Sequence, residues 1–149
     1  MKPRGQLSVD PGSLEVSGGP AVMRLVVVHT EKALTAAVLP RVARLVSGLD
    51  ARIQLLAVHA VPFPASFASA SASHAHLVAE LSDLAGQCPL PVTPQVVMAR
   101  YRHEGFSFAL QEEATVLVGT RKRLWRTDEE RLAGALADDG HKVVLLRVA

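Results

Sequence analysis

Met23-Arg-Leu-Val-Val-Val-His29 is an unbroken aliphatic run that ends on a histidine and a threonine. Side chains of a strand point alternately to its two faces, so Leu25, Val26, Val27 and Val28 together require cover on both sides of a sheet. The period then changes. Leu34, Val38, Val42, Leu45 and Leu49 recur at helical spacing, which predicts a helix over Glu31 to Ser47 with Gly48 as its stop. Pro40 lies inside that pattern and is expected to kink the helix or expose its first turns. A doubly covered strand leading straight into a helix is the opening of a βαβ unit.

The same alternation continues down the chain. Arg52 to Val61 reads as a second buried strand, closed by Pro62-Phe63-Pro64. The small-residue stretch after it is expected to begin as a loop and turn helical from about His74, with Leu77, Leu81 and Leu84 inward. Val92 to Arg100 supplies a third strand, Phe106 to Leu110 a short helix, and Thr115 to Thr120 a fourth strand. Thr127 and Glu130 have capping-box spacing, and Leu132, Ala133 and Leu136 carry that helix to Gly140. Lys142 to Val148 is the last strand. Strands alternating with helices imply right-handed crossovers, and therefore an α/β, doubly wound, Rossmann-like layer of five parallel strands over residues 23–149.

Residues 1–22 stand outside the alternation. Gln6-Leu-Ser-Val9 and Leu14-Glu-Val-Ser17 flank Asp10-Pro-Gly-Ser13, with Pro and Gly where a type II turn places them. The segment reads as an N-terminal β-hairpin extension or as a tail.

Composition narrows the function classes. A chain of 149 residues that is 49% hydrophobic suits one well-filled domain. Its single cysteine, Cys88, excludes an internal disulfide framework, and no local base or helix N-terminus activates the thiol. The N-terminus has no signal-like apolar region, and no run approaches the roughly 18 apolar residues of a membrane span. We expect a cytoplasmic protein without membrane insertion. The net charge is only +2, so the overall balance does not indicate nucleic acid, although Arg121, Lys122, Arg123 and Arg126 crowd into one loop.

The runs LVVVHTEKAL, RIQLLAVHAVPFP, TVLVGTRKR and KVVLLRV together resemble a universal stress protein domain over Met23 to Ala149. The resemblance implies strand order 3-2-1-4-5 and a homodimer through the fifth strands, here Val143, Val144, Leu145, Leu146 and Val148. It also implies a regulatory domain that stands alone or serves a protein partner such as a transporter. Nucleotide-binding members carry an Asp after the first strand and a Gly-x2-Gly-x9-Gly-Ser/Thr loop after the fourth. In this chain His29 stands at the Asp position, Gly119 matches the first glycine, and Lys122, Leu132 and Ala133 fall on the rest. The glycines admit backbone N–H groups close to phosphate, so side chains there argue against ATP as a cofactor.

In an open α/β sheet a ligand sits beyond the strand carboxyl ends where the strand order reverses. The ligand or anion-binding candidates are accordingly His29, Thr30, Gly119, Thr120, Arg121, Lys122 and Arg123, with Trp125 and Arg126 as partner-surface candidates. Two readings of the basic loop stand. It substitutes cations for the missing glycines, or it is a solvated loop paired with Asp128, Glu129 and Glu130, which place negative charge where an anion would dock. His74 and His76, two residues apart on a helix, diverge and do not make a metal site. No nucleophile, base and carboxylate share a sequence context, so we expect no catalytic residues, no metal and no enzyme activity. The expected function is a regulatory or interaction module acting as a homodimer, with a nucleotide or anion binder, or a weak nucleic-acid binder, as alternatives.

Overall fold

Strand β1 (Met23–Val28) lies at the centre of the sheet. It pairs in parallel with β2 (Ala51–Ala60), Met23 opposite Ala51 through Val28 opposite Leu56. On its other side it pairs with β4 (Thr115–Arg121), Leu25 opposite Thr115 through Val28 opposite Val118. Beyond β2 lies β3 (Val92–Ala99), and beyond β4 lies β5 (Lys142–Val148), which completes a parallel five-stranded sheet in the expected order β3-β2-β1-β4-β5. The computed structural model describes residues 22–111, 113–121 and 127–148. The hairpin or tail over residues 1–21 lies outside them, as do Lys122, Arg123, Trp125 and Arg126.

The alternation along β1 divides the core. Leu25 and Val27 join Leu55, Ala57 and Leu117 on one face, under α1 (Lys32–Leu45) and α2 (Ser71–Gln87). Val26 and Val28 join Leu56, Val116 and Val118 on the other, under α3 (Arg102–Ala109) and α4 (Asp128–Asp138). Each fully buried Val or Leu contributes about 1.5–3 kcal/mol of transfer free energy, which is why a strand whose last four positions, Leu25 to Val28, are all aliphatic and buried takes the middle of the sheet.

Helix faces differ in places from the periodic reading. Leu34, Val38 and Val42 are buried as expected, but Leu39 and Val46 complete that face, and Leu45 and Leu49 are 62% and 58% exposed. The reason is rotation: the buried positions, Leu34, Thr35, Val38, Leu39, Val42, Ala43 and Val46, centre at about 50° from Val38 on the Leu39 side, so Leu45, about 20° to the other side of Val38 and the last residue of the helix, falls on its flank. Pro40 sits inside α1 on its exposed side, and Gly48, at φ +82°, ends the turn that follows. Helix α2 begins at Ser71, three residues before the expected start, and a short 3-10 turn at Ala68–Ala70 leads into it. Phe106 fills the second core face while Phe108 remains 64% exposed.

Two glycines set how closely helices approach the sheet. A Cβ on Gly119 would overlap Val38 Cγ2 of α1, and one on Gly105 of α3 would overlap Val58 Cγ1 of β2. Both are contacts that any larger residue would force apart.

Candidate functional site

After β1 the chain enters α1 on one face of the sheet, and after β4 it enters α4 on the other. The two loops diverge there, which makes this the switch point at which a crevice forms. Its local structure follows from a few polar side chains.

His29 is buried beneath the end of β1. Its Nδ1 lies 2.7 Å from Thr35 Oγ1 of α1, and its Nε2 lies 2.9 Å from Glu80 Oε2 of α2. A carboxylate only accepts, so the network assigns the imidazole proton to Nε2, leaving Nδ1 to accept from the Thr35 hydroxyl. Burial pushes the His29 pKa below its ordinary value, and the hydrogen bond and charge of Glu80 oppose that only in part. The order hydroxyl, imidazole, carboxylate is that of an activated nucleophile. Thr35, however, is 2% exposed, so no substrate reaches its oxygen in this arrangement. The physical result is a polar staple joining β1, α1 and α2.

Two further contacts order the loops at the switch point. Arg121, the last residue of β4, forms an ion pair with Glu31, which precedes α1. Thr120 Oγ1 lies 2.7 Å from Thr127 Oγ1, and both residues are buried. Thr127 in turn accepts from Glu130 N at 3.1 Å, while its own N–H donates to Glu130 Oε1 at 2.8 Å. This is the capping box expected from the sequence, and the Thr127 backbone donor is the largest cause holding the Glu130 carboxyl below its usual range.

Between α3 and α4 an open cavity of about 230 Å³ remains, lined by His29, Thr30, Val58, Arg102, Phe106, Asp128, Glu129 and Leu132. Its floor is apolar, with a guanidinium at the start of α3 and two carboxylates at the start of α4. Asp128 also pairs with Arg131 at 2.7 Å. With Asp128 paired to Arg131, the cavity presents Arg102 and Glu129 as charges of opposite sign.

Of the sequence candidates, His29 and Thr30 line this cavity. Gly119 lies within β4 against α1, Thr120 is bonded to Thr127, and Arg121 is paired with Glu31. Lys122, Arg123, Trp125 and Arg126 fall outside the described residues. Arg102 was not anticipated as part of a site. Its signal in the sequence is a position just past the third strand, at the same sheet edge as His29 and Thr30. His59 lies near the end of β2. It stacks on His74, ring centroids 6.3 Å apart and planes 10° apart, and the Nδ1 atoms of both rings are buried without a hydrogen-bond partner. Among the described residues, no three His, Cys, Asp or Glu side chains are grouped to hold a metal ion, and no helix is long and apolar enough to cross a membrane.

No family model and no curated protein matches this chain.

Proposed function

We propose that the protein is a universal stress protein-like regulatory or interaction module of the cytoplasm that does not bind ATP and works as a homodimer. The observation that carries this reading is the Arg121–Glu31 ion pair across the switch point, where the chain's own side chains occupy the ground between the β1 and β4 loops. The Thr120–Thr127 bond supports it, because it turns the β4 end toward a helix terminus that is already capped and flanked by Asp128 and Glu129. A triphosphate brought there would meet carboxylates and no free helix N-terminus. Homodimerisation draws support from β5, an edge strand whose Val144 is 44% exposed. Mass spectrometry of the purified protein for co-purifying nucleotide, with a thermal shift titration of ATP, tests the first part. Stoichiometric ATP or a saturable shift with it overturns the reading.

A second reading is favoured by the cavity between α3 and α4, in which Arg102 stands opposite Asp128 and Glu129. The module would then sense a small cationic or zwitterionic molecule rather than an anion. Thermal shifts with amino acids and polyamines, lost in Arg102→Ala or Glu129→Ala variants, distinguish it from a module with no ligand.

A further inference from the structure

Strands β2 and β3 end level, Ala60 opposite Ala99, so the loops that follow them leave the sheet side by side. Aromatic side chains collect there instead of in the core. Phe63 and Tyr101 are 67% and 60% exposed, and Phe67 is exposed as well. Arg100 organises the first of the two loops. Its guanidinium carbon stands 4.1 Å from the centre of the Phe63 ring and 4.3 Å from that of Phe67, while Nη1 donates to the carbonyl of Val61 at 3.1 Å and to that of Ala65. Two cation–π contacts and two backbone acceptors fix this guanidinium, and with it the loop that carries both rings.

Anchored in this way, Arg100 still has donors to offer. The N–H groups on Nε and Nη2 meet no acceptor among the described residues, and neither nitrogen is buried. Arg102, just beyond Tyr101, makes no ion pair among the described residues. The sequence around them carries no opposing charge, since residues 51–79 and 84–103 contain no Asp or Glu. Glu104 and, across the cavity that Arg102 lines, Asp128 and Glu129 bound this ground on the side of α3 and α4.

We propose that the β2–β3 end of the sheet binds single-stranded nucleic acid, with bases stacked on Phe63 and Tyr101 and phosphates at Arg100 and Arg102. Every base has a π-face, so exposed rings take a strand of any sequence while the cations follow its backbone. The overall charge of +2 gives no such indication, because the cations that matter are local. Arg100 also decides against the other uses of exposed rings. Rings held by a guanidinium enter a bilayer or an apolar protein interface only by taking that charge with them, and its desolvation opposes both. Against a phosphate chain the same charge is favourable. A single nucleotide, with one stack on an open surface, is held weakly, whereas a strand that covers both rings joins its contacts through one chain. ATP therefore remains a poor ligand at this place too.

Fluorescence anisotropy of a labelled oligo(dT) strand of about twelve nucleotides, titrated with the full chain at low salt, tests the proposal. We expect saturable binding that weakens about tenfold in Phe63→Ala and again in Tyr101→Ala, with melting curves unchanged because both rings are exposed. Phe108→Ala removes an equally exposed ring from α3 and should leave binding as it is. The logarithm of the binding constant should fall with the logarithm of salt concentration by about 0.7 for each phosphate engaged. No binding, or binding that both ring variants leave intact, overturns the proposal, and so does an equal loss in Phe108→Ala. Binding to phosphatidylserine vesicles but not to oligo(dT), abolished in the ring variants, assigns the rings to a membrane surface and overturns it as well. Self-association that disappears in Phe63→Ala, without strand binding, assigns them to a second copy of the chain and does the same.

Discussion

Glu80, in the middle of α2, accepts a hydrogen bond from Nε2 of His29 at 2.9 Å, across fifty-one positions of sequence. The imidazole is thereby oriented, with its other nitrogen taken by Thr35, while its burial, against the pull of Glu80, favours the neutral form.

This arrangement fixes a pH dependence. His29 has a lowered pKa in the fold against an ordinary value of 6.5, so between the two values the unfolded chain binds the extra proton. Unfolding free energy therefore rises with pH across that window. The contribution is complete above 6.5 and is lost as pH falls from 6.5 toward the lower folded value. We expect thermal stability to fall on acidification, with a shallower fall in His29→Gln. Parallel pH profiles for the two proteins would sink the assignment. Glu80→Gln should lower the His29 pKa further, as read by imidazole NMR.

Gly119→Ala should destabilise the fold by about 1–3 kcal/mol, because the new methyl overlaps Val38 Cγ2. Val38→Ala in the same chain should cost less beside Gly119→Ala than alone. Denaturant melts of the double-mutant cycle measure the coupling, and strict additivity would show that the close approach of α1 is not the cause.

Thr127 holds both the α4 cap and the Thr120 hydroxyl. Thr127→Ala should cost about 1–2 kcal/mol, while Thr127→Ser keeps both bonds and stays near the parent. Equal losses in the two variants, measured by chemical denaturation, would mean that the methyl group rather than the oxygen matters.

A charge at the exposed flank of the outer strand tests assembly. Val144→Lys should leave the melting curve nearly unchanged, since Val144 is 44% exposed, yet convert a dimer to a monomer. Sedimentation at micromolar concentration decides. A parent protein that sediments as a monomer removes the β5 dimer.

The sequence carried the strands and their parallel layer because four consecutive aliphatics, as in Leu25 to Val28, have few other uses. Strand order came only through resemblance, and the sheet has that order. The capping box was legible because its two partners are three residues apart. Side-chain partners distant in sequence were not. Nothing local ties His29 to Glu80 or Arg121 to Glu31, since their meeting depends on which face α1 and α2 take. The inward role of Leu45 failed for a related reason, because a helix of 14 residues shows its buried face only after a sheet has been set against it.

Leu132 has a consequence for the history open to this chain. In the universal stress protein pattern that the sequence resembles, a phosphate-loop glycine would fall at this position, yet Leu132 is a buried residue of α4 packed in the second core face. Exchanging it for glycine would remove a core side chain and weaken a helix, together about 3–6 kcal/mol. A lineage converting this domain to phosphate binding by single substitutions would have to pass through a nearly unfolded intermediate. The present crevice is thus guarded against that change by the stability of the fold itself, independently of any selection on what it binds.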